Sequence, residues 1–213
     1  MSLTWYVSVG TLAGYLAAIT LFMLTPGPDM LYVLANATRY GIRASVAAAL
    51  GVAVGEAVHV AIAVLGLSAI IAASPMLYAT IRYTGAAYLI ILGFLALRRP
   101  TTPTGTWGSG TTGGVDLVRA ATRGLLTNLL NPKMIVFTIA FLPQFVNTGR
   151  GHVTAQLLIL GAIFVTIQLA VDLALGITAG RFAGRLADGR TARVLHRVSA
   201  IVFVGIGIRL ALA

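Results

Sequence analysis

Long apolar segments separated by short polar stretches dominate the sequence. A helix needs about 20 mainly apolar residues to cross a hydrocarbon core of about 30 Å. Six segments have about this length. Five of them are continuous, and the sixth, residues 125–145, is interrupted by an Asn-Pro-Lys sequence. The continuous segments are residues 5–24, 44–72, 77–97, 153–176 and 194–212. The pattern therefore predicts an all-α, multi-pass membrane protein with six transmembrane helices, the fourth of which is interrupted.

The composition agrees with this interpretation. Of 213 residues, 58% are hydrophobic and 9% are charged, whereas about 25% are charged in an ordinary soluble domain. Residues 1–4 carry no Lys or Arg, so we interpret the first apolar segment as a membrane span and not as a signal peptide. The absence of cysteine from the sequence excludes disulfides and thiolate metal sites.

The net charge of +10 comes mainly from arginines in the loops between spans one and two, three and four, and five and six. These arginines are Arg39, Arg43, Arg98, Arg99, Arg119, Arg123, Arg181, Arg185, Arg190, Arg193 and Arg197. The positive-inside rule places these loops in the cytoplasm and both termini outside. Because the arginines flank spans, we expect contact with the head groups of membrane lipids and no binding to nucleic acid.

A segment rich in Gly, Thr, Pro and Ser at residues 98–118 divides the six spans into three and three. It has too few large apolar residues to form a core, so we predict a flexible cytoplasmic linker. The flanking residues 1–97 and 119–213 are then two three-helix repeats of a single membrane domain. An odd number of spans gives the repeats opposite orientations, as in inverted-repeat transporters.

Two proline-containing sequences interrupt the apolar pattern: TPGPDM at residues 25–30 and LNPKM at residues 130–134. Proline inside a helix removes a backbone donor and clashes with the preceding turn, at a cost of about 3 kcal/mol or more. In a membrane such a break is tolerated only where it is buried in protein or lines a wet cavity. We therefore expect both breaks to lie inside the helix bundle.

The residues at the breaks indicate that a new half-helix begins at each. Asn131 is a good N-cap, and Pro132 suits the first helical position. The first break offers two pairs of the same kind, Thr25 with Pro26 and Gly27 with Pro28. A helix N-terminus presents free amide donors and attracts anionic groups.

The charges that follow the two breaks have opposite signs, Asp29 after the first and Lys133 after the second. One interpretation is a site for a zwitterion, in which Lys133 and the amides near Asn131 face a carboxylate and Asp29 faces an ammonium group. Two structural interpretations stay open: Asp29 stabilises its own helix start, or Asp29 and Lys133 pair across the repeats.

Two further carboxyl groups lie within predicted spans. Glu56 lies in span two with His59 on the same helix face, and Asp172 lies in span five with Gln168 one turn earlier. Ionisable residues inside a membrane are functional candidates by default. Because burial disfavours the charged form of a carboxyl group, we interpret Glu56, Asp172 and His59 as proton-coupling residues. The alternative for each carboxyl group is an interhelical hydrogen bond or a pair with an arginine.

The sequence carries no sign of an enzyme. Glu56 and His59 match one Glu-x-x-His piece of a di-iron bundle, but that site needs two such pieces and two further glutamates. Glu56 is the only glutamate in the sequence, and no G-x-S-x-G elbow accompanies the serines. We therefore expect no catalytic residue, no metal site and no cofactor.

Three stretches together resemble the lysine exporter family, particularly its homoserine/threonine efflux branch. They read LTPGPDMLYVLANATRYGIRASVAAALGVAVGEAVH, YTGAAYLIILGFLAL and RGLLTNLLNPKMIVFTIAFLPQFV. The resemblance covers nearly the whole chain, and the order of its motifs is specific. It implies substrate-binding roles for the residues that match the two signatures, Pro26, Gly27, Pro28, Asp29, Asn131, Pro132 and Lys133.

The resemblance implies a secondary transporter in the inner membrane of a bacterium. Such a protein exports neutral or basic amino acids, of the homoserine/threonine or lysine type, by using the proton motive force. Export of another small metabolite or of a metal cation stays an alternative, although scarce His and carboxylate residues disfavour a metal. A passive channel or a membrane scaffold is the rival class. The sequence leaves a homo-oligomer open.

Overall fold

The structure, a computed structural model, describes residues 6–98, 116–187 and 189–212. Within these residues it contains eight α-helices and no strand. The helices are α1 (Val9–Leu24), α2 (Pro28–Tyr40), α3 (Ile42–Ala73), α4 (Pro75–Arg98), α5 (Leu117–Leu129), α6 (Pro132–Val136), α7 (Val153–Ala187) and α8 (Gly189–Leu212). A π-helical turn at Phe137–Phe141 and a 3-10 turn at Leu142–Phe145 continue α6, and another 3-10 turn lies at Thr148–Arg150.

Both breaks are helix N-termini, as predicted. At the first break α2 begins at Pro28 with Gly27 as its N-cap, so this pair is the helix start that the chain uses. At the second break α6 begins at Pro132, and the N-cap Asn131 accepts a hydrogen bond from the Lys133 N–H. Proline fits the first helical position because the N–H that it lacks has no partner there.

Within the described residues, three helices are long and apolar enough to cross a membrane singly: Ile42–Gly66 in α3, Met76–Leu95 in α4 and Val153–Ala179 in α7. Two bent pairs have the length of one span each. They are α1 with α2, bent by 56°, and α5 with Pro132–Phe145, bent by 51°. The chain is therefore a multi-pass helical membrane protein. The apolar part of α8, Ala200–Leu212, is shorter than a full span, so the sixth crossing stays a prediction.

The linker predicted at residues 98–118 falls mainly on residues 99–115, which lie outside the described part of the chain. Its last two residues are already helical, since α5 begins at Leu117. Asp116 is the N-cap and accepts a hydrogen bond from the Arg119 N–H at 3.0 Å. A polar stretch that ends in a capping residue is also a helix start signal. The assignment of the linker and of the two repeats that it separates stays a prediction.

Glycines bring α3 and α5 into direct contact. Gly51 and Gly55 lie four residues apart, a spacing that permits close helix approach. A Cβ atom at Gly51 would overlap the backbone carbonyl of Ala121, and a Cβ atom at Gly124 would overlap that of Ala48. The two backbones therefore touch, and side chains beside these glycines are held against the neighbouring helix.

Helix α3 also packs against α7, and the two run in opposite directions. Ser45, near the start of α3, faces Gly176 late in α7, whereas Val60 faces Gly161 early in α7. Helices α4 and α8 pack against each other in turn. The order of a broken pair followed by two long helices thus occurs twice, with α3 matching α7 and α4 matching α8. This order is what inverted repeats require, and the repeat assignment stays a prediction.

We expect Gly51→Ala to destabilise the protein, because the methyl group would overlap the backbone of α5. Overpacking of this kind typically costs about 1–3 kcal/mol, which thermal unfolding in detergent will detect as a lower midpoint temperature. Gly66→Ala is the matched control, since it lies on the same helix and its Cβ would meet no described atom within 4 Å. Equal midpoints for the two variants would contradict the close contact of α3 with α5.

Candidate functional site

The two breaks meet inside the bundle among polar side chains that are at most 8% exposed. We call this set the polar cluster. Its members are Thr25, Asp29, Glu56, His59, Asn128, Asn131, Lys133, Thr138, Gln168 and Asp172. They come from both halves of the chain, so the cluster exists only in the folded bundle.

Asn131 joins the two breaks. Its Oδ1 accepts a hydrogen bond from the Lys133 N–H at 3.0 Å and so caps α6. Its Nδ2 donates to Asp29 Oδ2, on α2, at 2.8 Å. One amide side chain therefore completes the helix start of the second break and binds the carboxyl group of the first.

A second amide, Asn128 of α5, connects two carboxyl groups. Its Nδ2 donates to Asp29 Oδ2 at 3.1 Å and to Glu56 Oε2 at 3.2 Å. Its backbone carbonyl lies 3.2 Å from His59 Nε2, and because a carbonyl oxygen only accepts, the imidazole is the donor. Glu56 and His59 thus share one face of α3, as predicted, and both contact Asn128.

The other oxygen of Glu56 contacts the π-helical turn. Thr138 Oγ1 donates to Glu56 Oε1 at 3.1 Å and is also 2.9 Å from the Met134 carbonyl oxygen. Single-turn π-helices inside α-helices are frequent at functional sites. The π-helical turn after the second break therefore supplies a hydrogen-bond donor to Glu56. The first turn of α6 supplies Lys133 to the polar cluster.

Lys133 reaches back to the end of α1. Its Nζ donates to the carbonyl oxygens of Phe22 at 3.0 Å and Thr25 at 2.8 Å, and it lies 4.3 Å from the centre of the Phe22 ring. Carbonyl groups at a helix C-terminus lack partners within the helix and carry partial negative charge. In the described residues the hydrogen bonds of Lys133 Nζ go to these two groups and not to Asp29. Lys133 therefore caps α1 and does not form a direct pair with that carboxylate.

Asp172 is held by its own helix. Gln168 Nε2 donates to Asp172 Oδ2 at 2.9 Å across one turn of α7, as the spacing predicts. Asp172 is fully buried and interacts electrostatically with Asp29 and Lys133. It therefore belongs to the same buried group as the break residues, although it makes no hydrogen bond to them among the described side chains.

Aromatic rings border the polar cluster beside Lys133. The rings of Phe22 and Phe137 are 4.0 Å apart between centroids, and Phe137 stacks on Phe164 at 4.5 Å. All three side chains are buried. The cluster therefore has a polar part around the carboxyl groups and an apolar wall next to the lysine.

The structure brings most of the predicted site residues together. Asp29, Glu56, His59, Asn131, Lys133 and Asp172 all belong to the polar cluster. Pro28 and Pro132 start the two helices, Gly27 is an N-cap, and Pro26 lies in the connection between α1 and α2.

Asn128 and Thr138 are members of the cluster that the sequence analysis did not assign to the site. Their side chains carry no charge and match neither signature motif. The only sequence signal for Asn128 is its polarity within an apolar segment. Thr138 carries still less signal, because threonine is common in membrane helices.

Comparisons with known proteins show what the chain is similar to. Residues 19–213 match the family model described as LysE type translocator. An uncharacterized membrane protein of Vibrio cholerae is 33% identical over 93% of this chain and 95% of its own. Another, of Bacillus subtilis, is 30% identical over 95% of this chain and 99% of its own. A leucine efflux protein of Salmonella typhimurium is 31% identical over 92% of either chain. No solved structure matches.

We expect Asn128→Leu, which preserves size but removes the amide, to lower stability by about 2–4 kcal/mol, because two buried carboxyl groups each lose a donor. Thermal unfolding in detergent measures the change. Thr127→Val is the matched control, since Thr127 is half-buried, lies outside the polar cluster and bonds the Arg123 carbonyl within its own helix. An Asn128→Leu protein as stable as this control would show that the bridge between Asp29 and Glu56 contributes nothing.

Proposed function

Because this chain belongs to the LysE-type translocator family, we propose that it is a secondary transporter that exports amino acids from the cytoplasm by proton antiport. The family and the relatives identify a multi-pass membrane transporter for a small molecule and not an enzyme. The finer points belong to the proposal: the substrate is a neutral or basic amino acid, protons move in the opposite direction, and the membrane is the inner membrane of a bacterium.

The charge balance of the polar cluster is the observation that carries the proposal. Asp29, Glu56 and Asp172 contribute three carboxyl groups, whereas Lys133 is the one lysine in the cluster. An uncompensated charge in an interior of low dielectric constant is costly, so the cluster has to take up positive charge. Protons and the ammonium group of an amino acid are two carriers of that charge. A cluster that accepts either, but not both at once, exchanges one for the other.

Glu56 is the proposed proton site. The Thr138 hydroxyl has one proton and two neighbouring acceptors, Glu56 Oε1 and the Met134 carbonyl oxygen. When Thr138 donates to Glu56, Oε1 is an acceptor, as it is in the ionised carboxylate. When Thr138 donates to Met134, a proton on Glu56 can occupy the contact between Glu56 and Thr138. The same positions therefore accommodate both protonation states without a large rearrangement, which suits a group that gains and loses a proton in every cycle.

The proposed substrate site lies at the two breaks. Asp29 faces the ammonium group of the amino acid, and Lys133 faces its carboxylate. The ammonium group of Lys133 has three N–H donors, and two of them bond the carbonyl groups at the end of α1. The third donor is left for the substrate carboxylate. The aromatic wall beside Lys133 supports an apolar substrate side chain, and the leucine efflux relative supports the same choice. The homoserine/threonine and lysine types remain within the proposal.

The proposed orientation has the arginine-rich ends of the helices in the cytoplasm and both termini outside. Packing supports it, because the starts of α3 and α5 lie together where Ala48 meets Gly124 and Gly51 meets Ala121. Arg39, Arg43, Arg119 and Arg123 flank these helix starts. Basic residues from two separate loops are thus gathered at one end of the bundle, where anionic lipid head groups would contact them.

Transport of a metal cation is a weaker candidate. Within residues 6–98, 116–187 and 189–212, no group of three or more His, Asp or Glu side chains could hold a metal ion. The side-chain donors to Asp29 are the amides of Asn128 and Asn131, which supply no further anionic ligand for a metal.

The proposal is tested with purified protein in liposomes preloaded with labelled leucine, threonine, homoserine or lysine. We expect one or a few of these amino acids to leave faster when a proton gradient is imposed, and Asp29→Asn to abolish that movement. Loss of label that is indifferent to the gradient would indicate a passive channel. If no amino acid moves while circular dichroism and size-exclusion chromatography show folded, inserted protein, amino acid export is excluded.

We expect Glu56→Gln to lose uphill transport and to retain exchange of substrate across the membrane, because an amide keeps the hydrogen-bonding shape of a protonated carboxyl group but carries no transferable proton. Gradient-driven efflux and counterflow are measured on the same liposomes. Asp116→Asn is the matched control, since this exposed carboxylate caps α5 outside the polar cluster. Gradient dependence that survives in Glu56→Gln would remove Glu56 from the coupling mechanism.

A further inference from the structure

Asp29 and Asp172 lie at the same level on neighbouring helices. Helix α7 is antiparallel to α3. Helix α2 is antiparallel to α3 as well, because Val33 and Ser45 both lie beside Gly176, whereas Asp29 and Glu56, further along α3, share Asn128. Helices α2 and α7 therefore run side by side in the same direction. Gly176 of α7 faces Val33 of α2, where an added Cβ would lie 3.8 Å from Val33 Cγ1.

A carboxyl group lies one helical turn before Val33 and another lies one helical turn before Gly176. Asp29 precedes Val33 by one turn on α2, and Asp172 precedes Gly176 by one turn on α7. Two acidic side chains, one from each half of the chain, therefore approach each other across the contact of α2 with α7.

Acceptor oxygens without partners surround this position. Among the described residues, Asp29 Oδ1, Asp172 Oδ1 and Gln168 Oε1 are buried and have no hydrogen-bond partner. Their side chains are 1%, 0% and 3% exposed, so bulk water does not satisfy them. Buried polar atoms normally have a partner, and each of these three can only accept.

A primary ammonium group is the complement of such a set. It has three donors and no acceptor, and its positive charge offsets two carboxylates that otherwise repel each other. A hydroxyl group brings a single donor and no charge. A metal ion needs a closed shell of ligands that the described residues do not form here.

We propose that Asp29, Asp172 and Gln168 together bind the ammonium group of the transported amino acid, so that Asp172 is a substrate-binding residue and not the proton carrier. This inference rests on the proposed export of amino acids and refines its binding site. The three buried carboxyl groups then have different roles. Asp29 and Asp172 hold the cationic end of the substrate, whereas Glu56 binds and releases the proton.

The hydrogen bonds of the three carboxyl groups support these different roles. Both oxygens of Glu56 have donors, from Asn128 and Thr138. By contrast, one oxygen of Asp29 accepts from two side-chain amides and one oxygen of Asp172 accepts from one. The other oxygen of each aspartate has no partner among the described residues. Neutral amides orient the two aspartates without neutralising them. Their negative charge therefore remains available to a cationic ligand.

Equilibrium binding to purified protein in lipid nanodiscs tests the inference. The probes are labelled leucine and lysine, with their decarboxylated forms isopentylamine and cadaverine as competitors that keep an ammonium group but lack the carboxylate. We expect wild type to bind at least one amino acid and its amine to compete. In Asp172→Asn both affinities fall about tenfold to a hundredfold, as for the loss of a hydrogen bond to a charged group.

Two further variants complete the test. Gln168→Met removes one acceptor together with the amide that donates to Asp172. It is expected to weaken binding by about twofold to tenfold, which keeps the inference testable if Asp172→Asn does not fold. Asp116→Asn changes an exposed carboxylate outside the cluster and is expected to bind as wild type.

One result would overturn the inference about Asp172, and a different result would overturn the proposed function on which it rests. If folded Asp172→Asn binds amino acid and amine as wild type does but loses gradient-driven efflux, Asp172 is a proton carrier and the ammonium assignment is wrong. If wild type binds no amino acid and moves none from liposomes, the proposed function itself fails, whatever the variants do.

Discussion

Backbone groups inside a membrane must find partners within the protein, and this requirement governs how the two breaks are built. Helix α1 ends inside the bundle, and Lys133 from the second half of the chain donates to the carbonyl oxygens of Phe22 and Thr25 at that end. Asn131, the cap of the second break, donates to Asp29 after the first. Each break is thus completed by a side chain of the other, so neither half of the chain can form its interior alone.

The partners of the buried carboxyl groups explain why the site remains electrically unbalanced. Asn128, Asn131 and Gln168 hold Asp29, Glu56 and Asp172 by amide hydrogen bonds, which orient a carboxyl group but leave its charge in place. The buried lysine is directed to backbone carbonyl groups instead. A cluster stabilised by direct ion pairs would have little need for protons or for a cationic substrate. The amide-bound arrangement retains that need, which is the property that the proposed exchange of protons for substrate requires.

Helix packing connects this chemistry to the rest of the bundle. Backbone contact of α3 with α5 at Gly51 and Gly124 brings Glu56 within reach of Asn128, and contact of α3 with α7 sets the level of Asp172. Because interiors are close-packed and deform little, a shift of α3 or α7 would change several of these distances together. The hydrogen bonds at the breaks join α1, α2, α5 and α6 in the same way. Any movement that opens the cluster must therefore separate whole helices, as alternating access requires.

The sequence by itself determined the features that depend on neighbouring residues: the apolar spans, a helix start at each break, the cap Asn131 and the pair of Gln168 with Asp172. It left two starts open at the first break, and the structure selected Pro28. Span length, capping and helical spacing are local properties. Only the tertiary structure decided that Lys133 binds the end of α1 and that Asn128 bridges Asp29 and Glu56. Those partners are far apart in the chain, and an asparagine or a threonine carries no charge or motif that announces its role. Their contacts arise from helix packing, which brings together residues that no local pattern relates.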